Sequence, residues 1–174
     1  AGAPGYFVRH VDDEWHFGAS TPKDYLEIWA FRADFANPSN ATFTRLPNVP
    51  VADFDSSICN GGAEGDCIAQ PNTTRRLDAL PQMTMHRLQY RKFGPIETLV
   101  GNFTVDATGQ DQAGIRWFVL NKIGRSQWFT SQQGTYAPDA TARWMGSIAM
   151  DGCGNLALGY SVSSETVFPG IRYA

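Results

Sequence analysis

The chain has 174 residues, of which 43% are hydrophobic, 13% aromatic and only 18% charged. This length suits one ordinary domain with a sizeable core. The formal net charge is -3 and no basic stripe is present, which disfavours a nucleic-acid partner. No apolar run approaches the ~20 residues that a membrane-spanning helix requires.

The first part of the chain predicts an antiparallel unit of short strands. Residues 6–12 start a strand, WHFG follows at residues 15–18, and residues 24–35 form a third segment in which apolar side chains alternate with polar or amphipathic ones at period two. A turn at residues 37–40 leads into residues 42–51, which predict a strand interrupted by proline. Together these segments predict one four-stranded unit over residues 6–51.

Residues 53–84 are polar and loop-like, and they hold two of the three cysteines. Loops beyond ~12–15 residues are uncommon unless they are functional or tied down. A local disulfide between Cys59 and Cys67 is the favoured interpretation, and it implies an oxidising compartment. The alternatives are two free surface thiols, or a zinc pair, which is disfavoured because no second pair exists. Cys153 is left over in a predicted turn.

The second half predicts two further units, over residues 85–136 and 143–174. Four strands are expected in the first of these, over residues 85–93, 97–105, 114–121 and 127–136. The second predicts strand, tight turn, strand, loop and strand. Its hairpin turn is Gly-Cys-Gly-Asn at residues 152–155, where glycine and asparagine tolerate the positive φ that such a turn needs.

A weak internal repeat relates these two units. The sequence GNFTVDATG at residues 101–109 aligns with GSIAMDGCG at residues 146–154, with Gly, Asp and Gly at matching places 45 residues apart. Residues 26–32, 113–119 and 169–174 also share an isoleucine–aromatic core. Such spacing predicts an all-β fold of about 2.75 four-stranded, propeller-like blades. A two-sheet sandwich is the alternative, but it does not account for the repeated turn.

A closed ring needs four to eight blades, so we expect a propeller fragment or one part of an assembled propeller. The expected partner is a second protein chain, either a copy of this one or the remainder of a longer precursor. We expect a hydrophobic interface above ~2,000 Å² in total. The chain starts at Ala1 without a methionine, which fits a mature or trimmed product.

Several long stretches carry a resemblance: MHRLQYRKFGPIETLVGNFTVD, AGIRWF, QQGTYAPD and RWMGSIAMDGCGNLALGYSVSS. They resemble the C-terminal part of large secreted bacterial proteins of no established activity, and LPNVPVADFD with the run to Cys67 is similar to the same proteins. The resemblance implies export, membership of a larger polypeptide and a propeller-like fold, and it carries no catalytic residues. The turn at residues 149–154 also resembles the Asp-box hairpin of sialidases, but it lacks that motif's spacing and tryptophan.

One candidate metal site is a run of ligand-type side chains spaced by two, consisting of His10, Asp12, Glu14 and His16. On a regular strand these four would share one face, and sets of histidine and carboxylate bind transition metals. The alternative is an exposed strand end with solvated charges. No other cofactor is expected.

Asp106 and Asp151 lie at the mouths of the two equivalent turns. They are candidates for a calcium site or for catalytic carboxylates. The alternative is a turn in which the carboxylate accepts backbone N–H bonds. Repetition of the residue at matching sites favours this structural role.

Arginines and tryptophans supply the carbohydrate candidates. Arg9, Arg32, Arg116 and Arg172 lie at or beside matching strands, where bidentate donors hold an anionic sugar or stack on aromatic rings. Five tryptophans either line a sugar-binding groove or pack between blades: Trp15, Trp29, Trp117, Trp128 and Trp144. The candidates for carbohydrate or anion binding are Arg9, Arg116, Arg172, Trp117 and Trp144.

No phosphate-binding loop, no G-x-S-x-G and no Cys/His nucleophile pattern is present. The first functional hypothesis is therefore a secreted, extracellular, non-enzymatic module for binding or assembly. The alternative is a glycan-active propeller, either a glycoside hydrolase or a lyase, that acts on extracellular carbohydrate.

Overall fold

The computed structural model describes residues 4–14, 23–59 and 66–174, and these residues form an all-β protein. Every strand pairing in them is antiparallel, and the helical geometry they contain is one 3-10 turn at Pro38–Asn40. The predicted all-β class is therefore confirmed. No helix in this part of the chain is long and apolar enough to cross a membrane.

The N-terminal sheet has four strands, β1 (Gly5–Val11), β2 (Tyr25–Arg32), β3 (Thr42–Arg45) and β4 (Val49–Pro50). Strand β2 pairs with β1 along one edge and with both β3 and β4 along the other. The predicted interruption by proline is thus a gap between β3 and β4. The backbone stays attached across this gap because the Leu46 N–H donates to the Ile28 carbonyl at 2.8 Å.

The segment after this sheet contains two very short strands, β5 (Asp66–Ile68) and β6 (Leu77–Asp78), which pair with each other. The disulfide between Cys59 and Cys67 is present, as predicted, with Cα atoms 5.1 Å apart. Cys153 is exposed and unbridged. Ile58, Ile68 and Ala79 are buried together with Ala113 and Trp144, so the bridge holds a segment that packs against the central and C-terminal sheets.

The central sheet is a meander of β7 (Gln89–Phe93), β8 (Ile96–Asp106), β9 (Ala113–Ile123) and β10 (Phe129–Tyr136). Strands β8 and β9 are paired along their whole length, from Ile96 opposite Ile123 to Asp106 opposite Ala113. The C-terminal sheet is β11 (Ala142–Met150), β12 (Leu156–Ser163) and β13 (Gly170–Tyr173) in that order. A bulge interrupts the β11–β12 pairing between Trp144 and Ser147.

The central sheet is packed on both of its faces, because eight consecutive residues of β8, 98–105, are buried. Leu99 and Phe103 pack towards the N-terminal sheet, against residues such as Leu26. Val100 packs the other way, against a cluster that includes Ile148 of the C-terminal sheet. The three sheets are therefore stacked as three layers rather than the two layers of a sandwich.

Each of the predicted units 6–51, 85–136 and 143–174 contains one of the three large sheets. Within the described residues these sheets do not close into a barrel or a ring. The three isoleucine–aromatic segments do not occupy equivalent places in the fold, because the third segment, residues 169–174, differs from the other two. Ile28 and Ile115 lie in strands paired on both sides, whereas Ile171 lies in the edge strand β13 and is 87% exposed.

Candidate functional site

The predicted metal-binding run His10, Asp12, Glu14 and His16 extends beyond β1, which ends at Val11. His10 is fully buried between the N-terminal and central sheets. Its ring lies 4.3 Å from the Phe103 ring and 5.9 Å from the Phe54 ring, measured between centroids. His16 lies outside the described residues. Within the described residues, His10 is not part of the cluster of ligand-type groups that forms at this end of the sheet.

Four carboxylates meet at this end of the N-terminal sheet. Asp12, Asp13, Glu14 and Asp24 each place an oxygen within 4.8 Å of the others. An all-oxygen set of this kind suits hard cations such as Ca²⁺ rather than transition metals.

Two of these carboxylates are buried and already accept backbone hydrogen bonds. Asp12 accepts from the Ser56 N–H at 2.6 Å and from the Ser56 hydroxyl at 2.7 Å. Asp24 accepts from the Phe54 N–H at 2.5 Å and from the Asp13 N–H at 3.0 Å. These bonds anchor the segment after β4 to the end of the sheet, which is a structural role for the cluster.

The close packing of this cluster shifts the pKa values of three of its carboxyl groups. Burial raises the pKa of Asp24 to about 6. Burial acts in the same direction on Asp12, but hydrogen bonds from Ser56 outweigh it and lower the pKa of that carboxyl. A hydrogen bond to Asp12 raises the pKa of Glu14 to about 7. Glu14 and Asp12 therefore share a proton near neutral pH.

A cleft of about 630 Å³ opens beside this cluster, with Glu14, Asp53, Asp55 and Asp106 in its lining. Burial raises the pKa of Asp55, whose carboxylate accepts the Ser57 N–H at 2.7 Å. The concentration of carboxylates makes this cleft unsuitable for an anionic sugar.

The two repeated aspartates both close turns. Asp106 accepts backbone N–H bonds from Thr108, Gly109, Asp111 and Gln112, at 2.7 to 3.3 Å. These bonds lower the pKa of Asp106 although burial acts in the opposite direction.

Asp151 accepts from the N–H groups of Cys153 and Asn155 and from the Asn155 side-chain amide, at 2.8 to 2.9 Å. These bonds lower the pKa of the Asp151 carboxyl. At both turns the aspartate carboxylate therefore accepts backbone N–H bonds, as predicted for a structural role in the turn.

The candidate arginines are distributed over all three sheets and share none of their hydrogen-bond partners. Arg9 and Arg45 both donate to Glu27 at 2.8 Å on the outward face of the N-terminal sheet. Arg116 lies between the N-terminal and central sheets, where it donates to the Ala52 carbonyl at 2.8 Å. Arg172 is exposed on the edge strand β13. No single anion site unites them.

The candidate tryptophans are mainly packing residues. Trp144 is 5% exposed, in the cluster that contains Ile58 and Ile68. Trp117 is partly buried, with its ring against the backbone of Gly134. Trp15 lies outside the described residues.

The outward face of the N-terminal sheet carries a surface that no sequence motif marks. We call it the aromatic face, and it consists of Phe7, Trp29, Phe31 and Phe43. The Phe43 ring is stacked on Trp29 with centroids 5.0 Å apart, and it contacts Phe7 edge-on at 5.7 Å. The signal was present in β1 and β2, which carry apolar residues in both phases of the alternation and so predict burial on both faces.

No family model, no curated protein and no solved structure matches the chain.

Proposed function

We propose that the chain is a secreted, non-enzymatic β-propeller-type module that assembles with a second copy of itself. The observation that carries this proposal is the aromatic face. Phe7 and Phe43 are each 56% exposed and Phe31 is 40% exposed. Full burial of such a side chain contributes about 1.5–3 kcal/mol, and contiguous apolar patches mark interaction surfaces.

The C-terminal sheet, which is the outer layer on the opposite side of the stack, offers a complementary surface. We call it the small-residue face, and it consists of Ser147, Ala149, Ala157 and Gly159 with Ile171 and Tyr173. Their neighbours in sequence, such as Ile148 and Leu158, are buried against the central sheet. Tyr173 is paired with Gly159 and is 87% exposed. A flat strip of small side chains bordered by apolar ones accommodates protruding rings.

Each copy carries both faces, on opposite outer layers of its stack, which favours a second copy as the occupant. In the dimer, the aromatic face of each copy contacts the small-residue face of the other copy, which gives two equivalent contacts. Such heterologous contacts form a ring when the rotation closes. Three layers from each copy make six, which is within the range of closed propellers. We expect the two contacts to bury above ~2,000 Å² in total.

Two further observations support the remaining parts of the proposal. The Cys59–Cys67 disulfide supports an oxidising, extracellular location, as does the resemblance to secreted bacterial proteins. The buried carboxylates Asp12 and Asp24 are engaged by backbone N–H groups, which supports an anchoring role rather than acid–base catalysis.

Light scattering at micromolar concentration tests the assembly. The wild-type chain is expected at twice its 19.2 kDa. Phe43→Ser is expected to be monomeric, because the Phe43 ring contacts the other three rings of the aromatic face. Phe35→Ser is the matched control, since Phe35 is 94% exposed and lies outside that face. It is expected to leave the dimer intact.

A mixing experiment tests whether the two faces meet. Ala157→Arg places a long charged side chain on the small-residue face and is also expected to give a monomer. Mixed with Phe43→Ser, it is expected to form a heterodimer, because one contact between intact faces remains. A wild-type monomer at all concentrations would overturn the assembly. A dimer that survives Phe43→Ser would show that the aromatic face is not the contact.

A further inference from the structure

A groove of about 400 Å³ lies between the inward face of the N-terminal sheet and the end of β9 in the central sheet. It is separate from the acidic cleft and from both outward faces. Its size falls within the range of small-ligand sites, which combine apolar walls with a few polar groups. Neither the turn motifs nor the assembly proposal accounts for it.

The apolar wall of the groove includes Tyr6, which rests on the buried ring of Trp128. The two rings meet edge-on with centroids 5.2 Å apart, and Tyr6 is stacked on Tyr90 at 6.1 Å. Leu46 and Pro47 continue this wall along the gap between β3 and β4. The packing holds the aromatic rings in place before any ligand arrives, which reduces the cost of ordering them on binding.

The groove is also cationic, although the chain as a whole carries a net charge of -3. Neither aspartate nor glutamate is among its lining residues. Lys122 lines it, but its ammonium pairs with Glu97 at 2.8 Å. Arg32 is exposed and makes no ion pair with the described residues, so its guanidinium is available for a carboxylate.

Hydroxyl groups line the side of the groove nearest to Arg32. Thr42 is paired with Arg32 in the sheet and Thr44 with Ala30, and both threonines are exposed. Ser126 also lines the groove, from the turn between β9 and β10, but its hydroxyl already donates to the Gln127 carbonyl and accepts from the Ile123 N–H. Each of the two threonine hydroxyls can both donate and accept hydrogen bonds, as a ligand with several hydroxyl groups requires.

We propose that this groove binds a sugar that carries a carboxylate, such as a uronic acid. The sugar ring lies against Tyr6 and Pro47. Its hydroxyl groups meet Thr42 and Thr44, and its carboxylate pairs with Arg32. This site goes beyond the assembly proposal. It lies on the inward face of the N-terminal sheet, so it remains open whether or not a second copy covers the aromatic face.

The test is an NMR titration of the ¹⁵N-labelled chain with glucuronic acid and, in parallel, with glucose, which lacks the carboxylate. Glucuronic acid is expected to shift the amide signals of residues 42–44 and 122–128. Glucose is expected to bind at least about tenfold more weakly, because it cannot form the charge-assisted pair with Arg32.

Two arginine variants locate the carboxylate. Arg32→Gln is expected to remove the preference for glucuronic acid, whereas Arg172→Gln, a control on β13, is expected to keep it. Absence of shifts at the groove with millimolar glucuronic acid would overturn the site, and equal affinity for both sugars would overturn its charge specificity. Either outcome leaves the light-scattering result unchanged, so failure of this site and failure of the assembly are distinguishable.

Discussion

His10 lies flat against Phe103, with ring centroids 4.3 Å apart and ring planes 4° from parallel. Both rings are fully buried between the N-terminal and central sheets. The pair thus joins the first strand of the chain to the longest strands of the fold. A histidine that looks like a metal ligand in the sequence is a packing residue in the structure.

We therefore expect His10→Ala to lower the free energy of unfolding by about 2–4 kcal/mol, as for other large buried side chains. His10→Phe is expected to lose less, because it keeps a ring against Phe103. Urea unfolding followed by tryptophan fluorescence measures both variants. An unchanged midpoint for His10→Ala would contradict this packing role.

The close approach of Gly101 to Phe118 gives a second prediction. A Cβ atom at position 101 would lie 2.5 Å from the buried Phe118 ring. Gly101→Ala is therefore expected to destabilise the fold by about 1–3 kcal/mol through overpacking. Gly152→Ala is the matched control, since no atom lies within 4 Å of its Cβ position. We expect it to stay within about 0.5 kcal/mol of wild type in thermal unfolding.

The two repeated turns are expected to differ in strength. Asp106 accepts four backbone N–H bonds, and Asp151 accepts two together with a side-chain amide. Asp106→Ala should cost about 1–3 kcal/mol, because it leaves N–H groups of the β8–β9 turn without their acceptor. Asp151→Ala should cost less, since its turn is fully exposed. Equal losses in chemical unfolding would argue against this assignment.

The carboxyl pair at the end of β1 predicts a pH dependence. The pKa of Glu14 is raised to about 7 in the folded chain, from 4.5. Between pH 4.5 and about 7, the folded state therefore binds more protons than the unfolded state. The stability that this proton contributes is lost as the pH rises through that range. Glu14→Gln keeps a hydrogen-bond donor towards Asp12 without titrating.

Relative to wild type, Glu14→Gln should become more stable as pH rises from 4.5 to 8. Denaturant unfolding at several pH values measures the difference between the two proteins, with Glu165→Gln as a control on an exposed carboxylate. A difference that does not change with pH would contradict the shared proton.

Local patterns in the sequence were enough for most strands of the three large sheets, for the two Asp-centred turns and for the disulfide. Period-two alternation is a property of neighbouring residues, so it located most strands of the three sheets. The Asp-centred turns were recognisable because Asp106 and Asp151 bond to backbone groups within six residues. The bridge between Cys59 and Cys67 spans only eight positions.

Contacts between distant segments decided the rest. Asp12 is held by Ser56, 44 residues away, and Asp24 by Phe54, 30 residues away, so no local motif marks that anchor. The alternation in β1 and β2 identifies two apolar faces but not which one the central sheet covers. Stacking of the three layers settled this: His10 was enclosed, the aromatic face was left in water, and Arg32 was placed beside Tyr6 and Trp128. Burial depends on which surfaces meet, and that is a property of the packed layers rather than of any single strand.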